Sequence, residues 1–164
     1  MEHLYERLGA LITREIKVYS ELLDLSQKEK EEIIKNEVAQ INAIVAKKQS
    51  LLQKIKQLDS ERKELFCGFS EEGGIQNPSY QEIIATAKGA IREKLAESAS
   101  QLDNTAAELR RVSALNRELI DTQMKYTSFF LNLITGGLDT TSTYSNSGRL
   151  SEKNKNYSLL DQTI

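Results

Sequence analysis

A chain of 164 residues with 28% charged side chains, 6% aromatics, one Pro and no Trp has the profile of charged amphipathic helices, not of a thick globular core. Its formal net charge is −2, and residues 1–66 hold 12 basic against 12 acidic side chains, so no concentrated basic face is available for nucleic acid. The lone Cys67 forms no internal disulfide, which fits a reducing cytoplasm, residues 1–10 lack the apolar core of a signal peptide, and no apolar run approaches the roughly 20 residues that insert stably in a membrane.

Gly and Pro punctuate what remains. Residues 10–66 contain neither. As one helix they would extend about 85 Å at 1.5 Å per residue, too long to bury their own apolar face, so a hidden turn is expected. Lys35-Asn36-Glu37 is the place for it. The stretch before it, residues 27–32, has no apolar residue; Asn36 is a strong N-cap type, and Glu37 complements the positive end of a new helix. The expectation is a first helix over about 3–34 and an antiparallel second helix over about 37–66. In the first, Leu4, Leu8, Leu11, Ile12, Tyr19, Leu22, Leu23 and Ser26 recur at helical spacing. In the second, Ile41, Ile44, Val45, Leu51, Leu52, Ile55, Leu58 and Leu65 do so, with Lys48 and Arg62 as charged interruptions of a heptad-like seam.

Residues 67–79, with Gly68, Gly73, Gly74 and Pro78, read as a loop whose tip is Ser70-Glu71-Glu72-Gly73-Gly74. Ser79 then caps a short helix over about 79–88, because Gly89 weakens continuity by roughly 1 kcal/mol relative to Ala. The third long helix covers about 90–135. Ile91, Leu95, Ser98, Leu102, Ala106, Leu109, Val112, Asn116, Leu119, Gln123, Tyr126, Phe130 and Leu133 lie near one face of it. At about 69 Å it outruns a 30-residue partner of about 45 Å, so it overhangs or bends. Over its last turns the apolar residues spread around the helix, and a helix apolar all round wants cover on every side. From residue 136 onward 12 of 29 residues are Ser, Thr or Asn, the composition of a tail disordered in isolation.

Catalytic chemistry has no foothold in these residues. The one histidine, His3, lies in a fraying segment, so Ser-His-Asp and Cys-His arrangements are disfavoured. One Cys and one His do not make the common zinc patterns, and no Gly-rich phosphate loop opens a helix. The chain reads as a non-enzyme that needs no metal and no cofactor. What stands out instead is interaction surface. Lys48 reads as a snorkelling side chain, while Arg62 is open between snorkelling and a polar layer with Glu15 or Glu6 of the first helix. Asn116, at a seam position, is open between fixing helix pairing and bonding a partner's backbone. The apolar cluster Leu119, Ile120, Met124, Tyr126, Phe129, Phe130, Leu133 and Ile134 either packs back onto the far end of the hairpin or, the favoured reading, suits an amphipathic partner.

Taken together, these residues resemble the FlgN family of flagellar export chaperones. The resemblance rests on Glu15, Tyr19 and Leu22-Leu23 in the first helix, then Asn36-Glu37, Ile41 and Ile44, continuing through Gln49, Leu51-Leu52, Leu58 and Arg62. It continues in Leu115-Asn116 with Leu119-Ile120, and in a Tyr-x-x-x-Gly element at Tyr144 and Gly148, where this chain has Ser145 after the Tyr instead of the family's frequent Gly. It implies a cytoplasmic chaperone for the hook-associated proteins of the hook-filament junction, which prevents their premature assembly and delivers them to the export gate. The substrate role falls on helix residues Leu115, Asn116, Leu119, Ile120, Met124, Tyr126, Phe129, Phe130, Leu133 and Ile134, and the gate role on Tyr144 and Gly148. The competing expectation is a structural coiled-coil adaptor, or a homodimer joined through Phe129-Phe130. The expected fold is all-α: a three-helix antiparallel bundle or coiled coil over 1–135, with a long overhanging third helix and a tail over 136–164.

Overall fold

A computed structural model describes residues 1–74 and 78–136. Its described residues form four helices and no strand: α1 (Glu2–Lys35), α2 (Val38–Gly73), α3 (Tyr80–Thr86) and α4 (Gly89–Gly136). The chain divides into two units, Met1–Gln123 and Met124–Ile164. The first is a three-helix bundle with α3 as a bracket. Of the second, the described part is the last turns of α4.

α1 buries Leu4, Leu8, Leu11, Ile12, Val18, Leu22 and Ile33 on one face, together with Glu15, Ser26 and Glu29. It ends at Asn36, whose φ of 59° places it in the left-handed region. The amide of Asn36 donates to Ile33 O (3.1 Å) and that of Glu37 to Glu32 O (3.0 Å). This pair of bonds is a Schellman turn, and it satisfies carbonyls that the helix end would otherwise orphan. The turn falls where the sequence places it, but Asn36 closes α1 instead of capping α2, and it makes no side-chain cap bond. Asn serves because, after Gly, it is among the residues that best tolerate a left-handed backbone.

α2 runs back antiparallel, burying Ile44, Leu51, Leu58 and Leu65 at heptad spacing and then Phe69. The helix continues through Ser70-Glu71-Glu72 to Gly73, where a loop is expected from residue 67 on. Phe69 explains the difference. Fully buried, with its ring 5.3 Å from that of Tyr5, it gains more from packing than Gly68 costs in a helix. The stop comes at Gly74, with φ of 69°.

α3 opens on a capping box: Ser79 accepts from the Glu82 amide (3.3 Å), and Glu82 accepts from the Ser79 amide (2.8 Å). Those bonds from Ser79 also hold the Glu82 carboxyl below the usual carboxylate range. Its buried pair, Ile83 and Ile84, joins the core, and Tyr5 and Thr86 share a hydroxyl bond of 2.8 Å. Gly89, with φ of 57°, lets the chain turn from α3 into α4, a conformation costly for any residue with a Cβ. α4 then runs parallel to α1. A Cβ on Gly9 would meet Leu95 Cδ2 at 3.5 Å, Asn116 bonds Ser26 O, and Gln123 bonds Ile33 O.

Two polar nodes cross this bundle. In the lower one, buried Glu15 accepts from Arg62 Nη1 (3.2 Å) and from the Tyr80 hydroxyl (2.7 Å), and Arg62 also pairs with Asp59. In the upper one, buried Glu29 accepts at one oxygen from Lys48 Nζ and from Asn116 Nδ2, both at 2.8 Å. Each is an acid of α1 held by a base of α2 and by a neutral donor from a later helix. The acids are two heptads apart, and so are the bases. Arg62 thus takes the polar-layer role with Glu15. Lys48, expected to snorkel into water, is drawn instead to a carboxylate that burial leaves in need of a cation.

Candidate partner-binding surface

The last third of α4 is where amphipathic order fails. Leu109, Val112, Asn116, Leu119, Gln123, Tyr126, Phe130 and Leu133 form one heptad series along the helix. Val112 and Asn116 are buried, Leu109, Leu119 and Gln123 are half-buried, and Tyr126, Phe130 and Leu133 are exposed. The apolar pattern continues where the cover does not. Phe129, Phe130 and Ile134 are 60%, 65% and 58% exposed, and Met124, Tyr126, Leu131 and Leu133 are more than half exposed as well. Between residues 124 and 135 the only charged side chain is Lys125. Contiguous exposed apolar surface of this kind marks an interaction site in a protein that must stay dispersed.

The residues singled out from sequence fall into two sets. Met124, Tyr126, Phe129, Phe130, Leu133 and Ile134 share the exposed end of α4, and Ile120, at 39%, is exposed in the first unit. Leu115 and Leu119 are half-buried there, and Asn116 is 3% exposed. The Asn116 amide faces α1 and not solvent: Nδ2 donates to Ser26 O and to Glu29, both at 2.8 Å. Both are acceptors, so the nitrogen, not the oxygen, must face them. Its two open readings therefore resolve toward helix pairing. Tyr144 and Gly148 lie outside the described residues.

A second apolar series escapes the sequence reading. Val38, Val45 and Leu52, again seven apart, are exposed on α2, and Ile34 is exposed near the end of α1. Val45 and Leu52 read from sequence as core because they adjoin Ile44 and Leu51. The spacing alone could have separated the two series, since one heptad stripe faces the core and its neighbour need not.

No helix among the described residues is long and apolar enough to cross a membrane. Among the same residues no group of three or more His, Cys, Asp or Glu side chains is placed to hold a metal. Comparison with known proteins turns on the match to a family model described as "FlgN protein", which covers residues 1–152. The chain belongs to the FlgN family. That is a family of flagellar export chaperones, not of enzymes, and its model takes in the whole described bundle, both polar nodes and the exposed end of α4. The chain is also similar to the uncharacterized protein YvyG of Bacillus subtilis (strain 168), with 24% identity over 120 residues, 71% of this chain and 72% of that protein. No solved structure matches the chain.

Proposed function

We propose that this FlgN-family protein is a cytoplasmic chaperone of flagellar type III export that holds hook-associated proteins unassembled and delivers them to the export gate. The observation that carries the reading is the uncovered apolar end of α4, from Met124 to Ile134. An export substrate of this class is recognised before it assembles, so its contact surface is an amphipathic segment seeking an apolar face. Tyr126, Phe129, Phe130 and Leu133 offer large, semi-rigid side chains for that contact at low entropic cost. Exposed Ile120 and half-buried Leu115 and Leu119 are the further candidates, within the first unit. Tyr144, with Gly148, is assigned to the export gate on the family pattern.

The test is co-purification and titration with a hook-associated protein. Phe129→Ser/Phe130→Ser should weaken the complex about a hundredfold or more, since buried aromatic anchors contribute on the order of 2 kcal/mol each. The thermal transition of the free protein should hardly move, because both side chains are already in water. Unchanged affinity would sink the reading. Tyr144→Ala should leave substrate binding intact and weaken binding to the export gate. Light scattering separates the adaptor alternative: a tight homodimer at micromolar concentration, abolished by the same double substitution, would assign Phe129 and Phe130 to self-association.

A further inference from the structure

The bundle of residues 1–123 is held together by different chemistry at its two ends. Toward the start of α1, α4 is fastened by apolar packing: Leu95 is buried, and Ala99, Leu102 and Leu109 pack on a continuous core. Beyond Val112 no apolar side chain of α4 is fully buried. Half-buried Leu115 and Leu119 lie there, and the polar attachments are two amides, Asn116 on Ser26 O and Glu29, and Gln123 on Ile33 O at 2.6 Å. Ile33 O already accepts the Asn36 amide. Water can replace such bonds when the helices part, which it cannot do for apolar burial.

The closed state also carries a defect. The Ser26 hydroxyl and Asn116 Oδ1 are both buried and without a hydrogen-bond partner. Parting α4 from α1 hydrates both atoms and relieves that penalty. Glu29 keeps its cation meanwhile, because Lys48 belongs to α2 and stays in the hairpin.

We propose that the Ser26–Glu29–Lys48–Asn116 layer is a latch, at which α4 over residues 112–123 opens from α1 as a unit while the apolar part of the bundle stays closed. The open form adds Val112, Leu115 and Leu119 to the apolar surface that α4 can offer an amphipathic helix. That last step rests on the function proposed above; the opening itself does not.

Hydrogen exchange on the full-length protein alone tests the opening. Amides of residues 112–123 should exchange at least about tenfold faster than those of residues 99–109 in the same helix. Asn116→Asp keeps the shape but sets a second carboxylate against Glu29. It should speed exchange of residues 112–123 by about tenfold or more and leave residues 99–109 unchanged. Ser26→Ala/Asn116→Leu removes both unpartnered atoms and should slow residues 112–123 by a similar factor. Uniform protection along α4 in the unsubstituted protein would overturn the latch. So would an Asn116→Asp variant whose α4 exchanges as before, or faster along its whole length. If the exchange pattern holds but Asn116→Asp does not tighten binding to a hook-associated protein, the latch stands and its link to substrate fails.

Discussion

Glu15 shows how much one residue can hold. Burial pushes its carboxyl above the usual carboxylate range, opposed by the hydroxyl of Tyr80 and the guanidinium of Arg62. Burial and the bond to Glu15 in turn push the Tyr80 phenol above its ordinary value. A folded-state value raised above the unfolded one means that the native chain binds the proton more tightly. The Glu15 contribution is therefore greatest at acid pH and declines as pH rises through that raised value. Comparing urea stability of the parent protein with Glu15→Gln across pH 4–8 isolates it: the parent's advantage should shrink with rising pH. Glu15→Ala should cost about 2–4 kcal/mol, since it strands the Tyr80 hydroxyl and takes from Arg62 one of its two carboxylates. The partnership of Glu15 and Arg62 was one of several readings the sequence left open, with Glu6 as another partner and snorkelling as the alternative, because only Arg62 stood out as an interruption of an apolar seam. That of Glu29 with Lys48 and Asn116 was not, since Glu29 lies in a stretch where charge follows charge and only tertiary packing shows which carboxylate turns inward.

Among the elements, the extent of α2 is the instructive case. Gly68, Gly73 and Gly74 argued for a loop, and local propensity favoured that reading. One aromatic side chain decided otherwise, so Phe69→Ala should cost about 3–5 kcal/mol and fray the helix back toward Phe66, measurable by denaturant titration and by exchange of residues 67–73. The α1–α2 turn teaches the complementary point. Its position followed from the absence of apolar residues before it, but the direction of the Asn36 cap did not, because Asn serves both as an N-cap and as a left-handed C-terminal residue. Asn36→Gly should be neutral or stabilising by up to about 1 kcal/mol, whereas Asn36→Val should destabilise by about 1–2 kcal/mol, because only the first fits φ of 59° without strain. The Ser79 cap and the break at Gly89 were legible because each depends on residues within one turn.

For the molecule as a whole, helical periodicity made the bundle plain and the apolar excess late in α4 visible, while the exposed stripe of Val38, Val45 and Leu52 was hidden among core neighbours. An uncovered apolar helix end carries a general liability. At concentrations of hundreds of micromolar, sedimentation should show weak self-association that Phe129→Ser/Phe130→Ser reduces. Against that openness stands the precision of the hairpin. Coiled helices mispair most readily by sliding one heptad, because the apolar stripes then match again. Slid one way, Glu15 would face Ile55 and Glu29 would face Ile41; slid the other, they would face Phe69 and Ile55. Either misalignment removes the cations from both carboxylates at once, at several kcal/mol apiece, so the chain proofreads its own folding by making every near-miss ruinous.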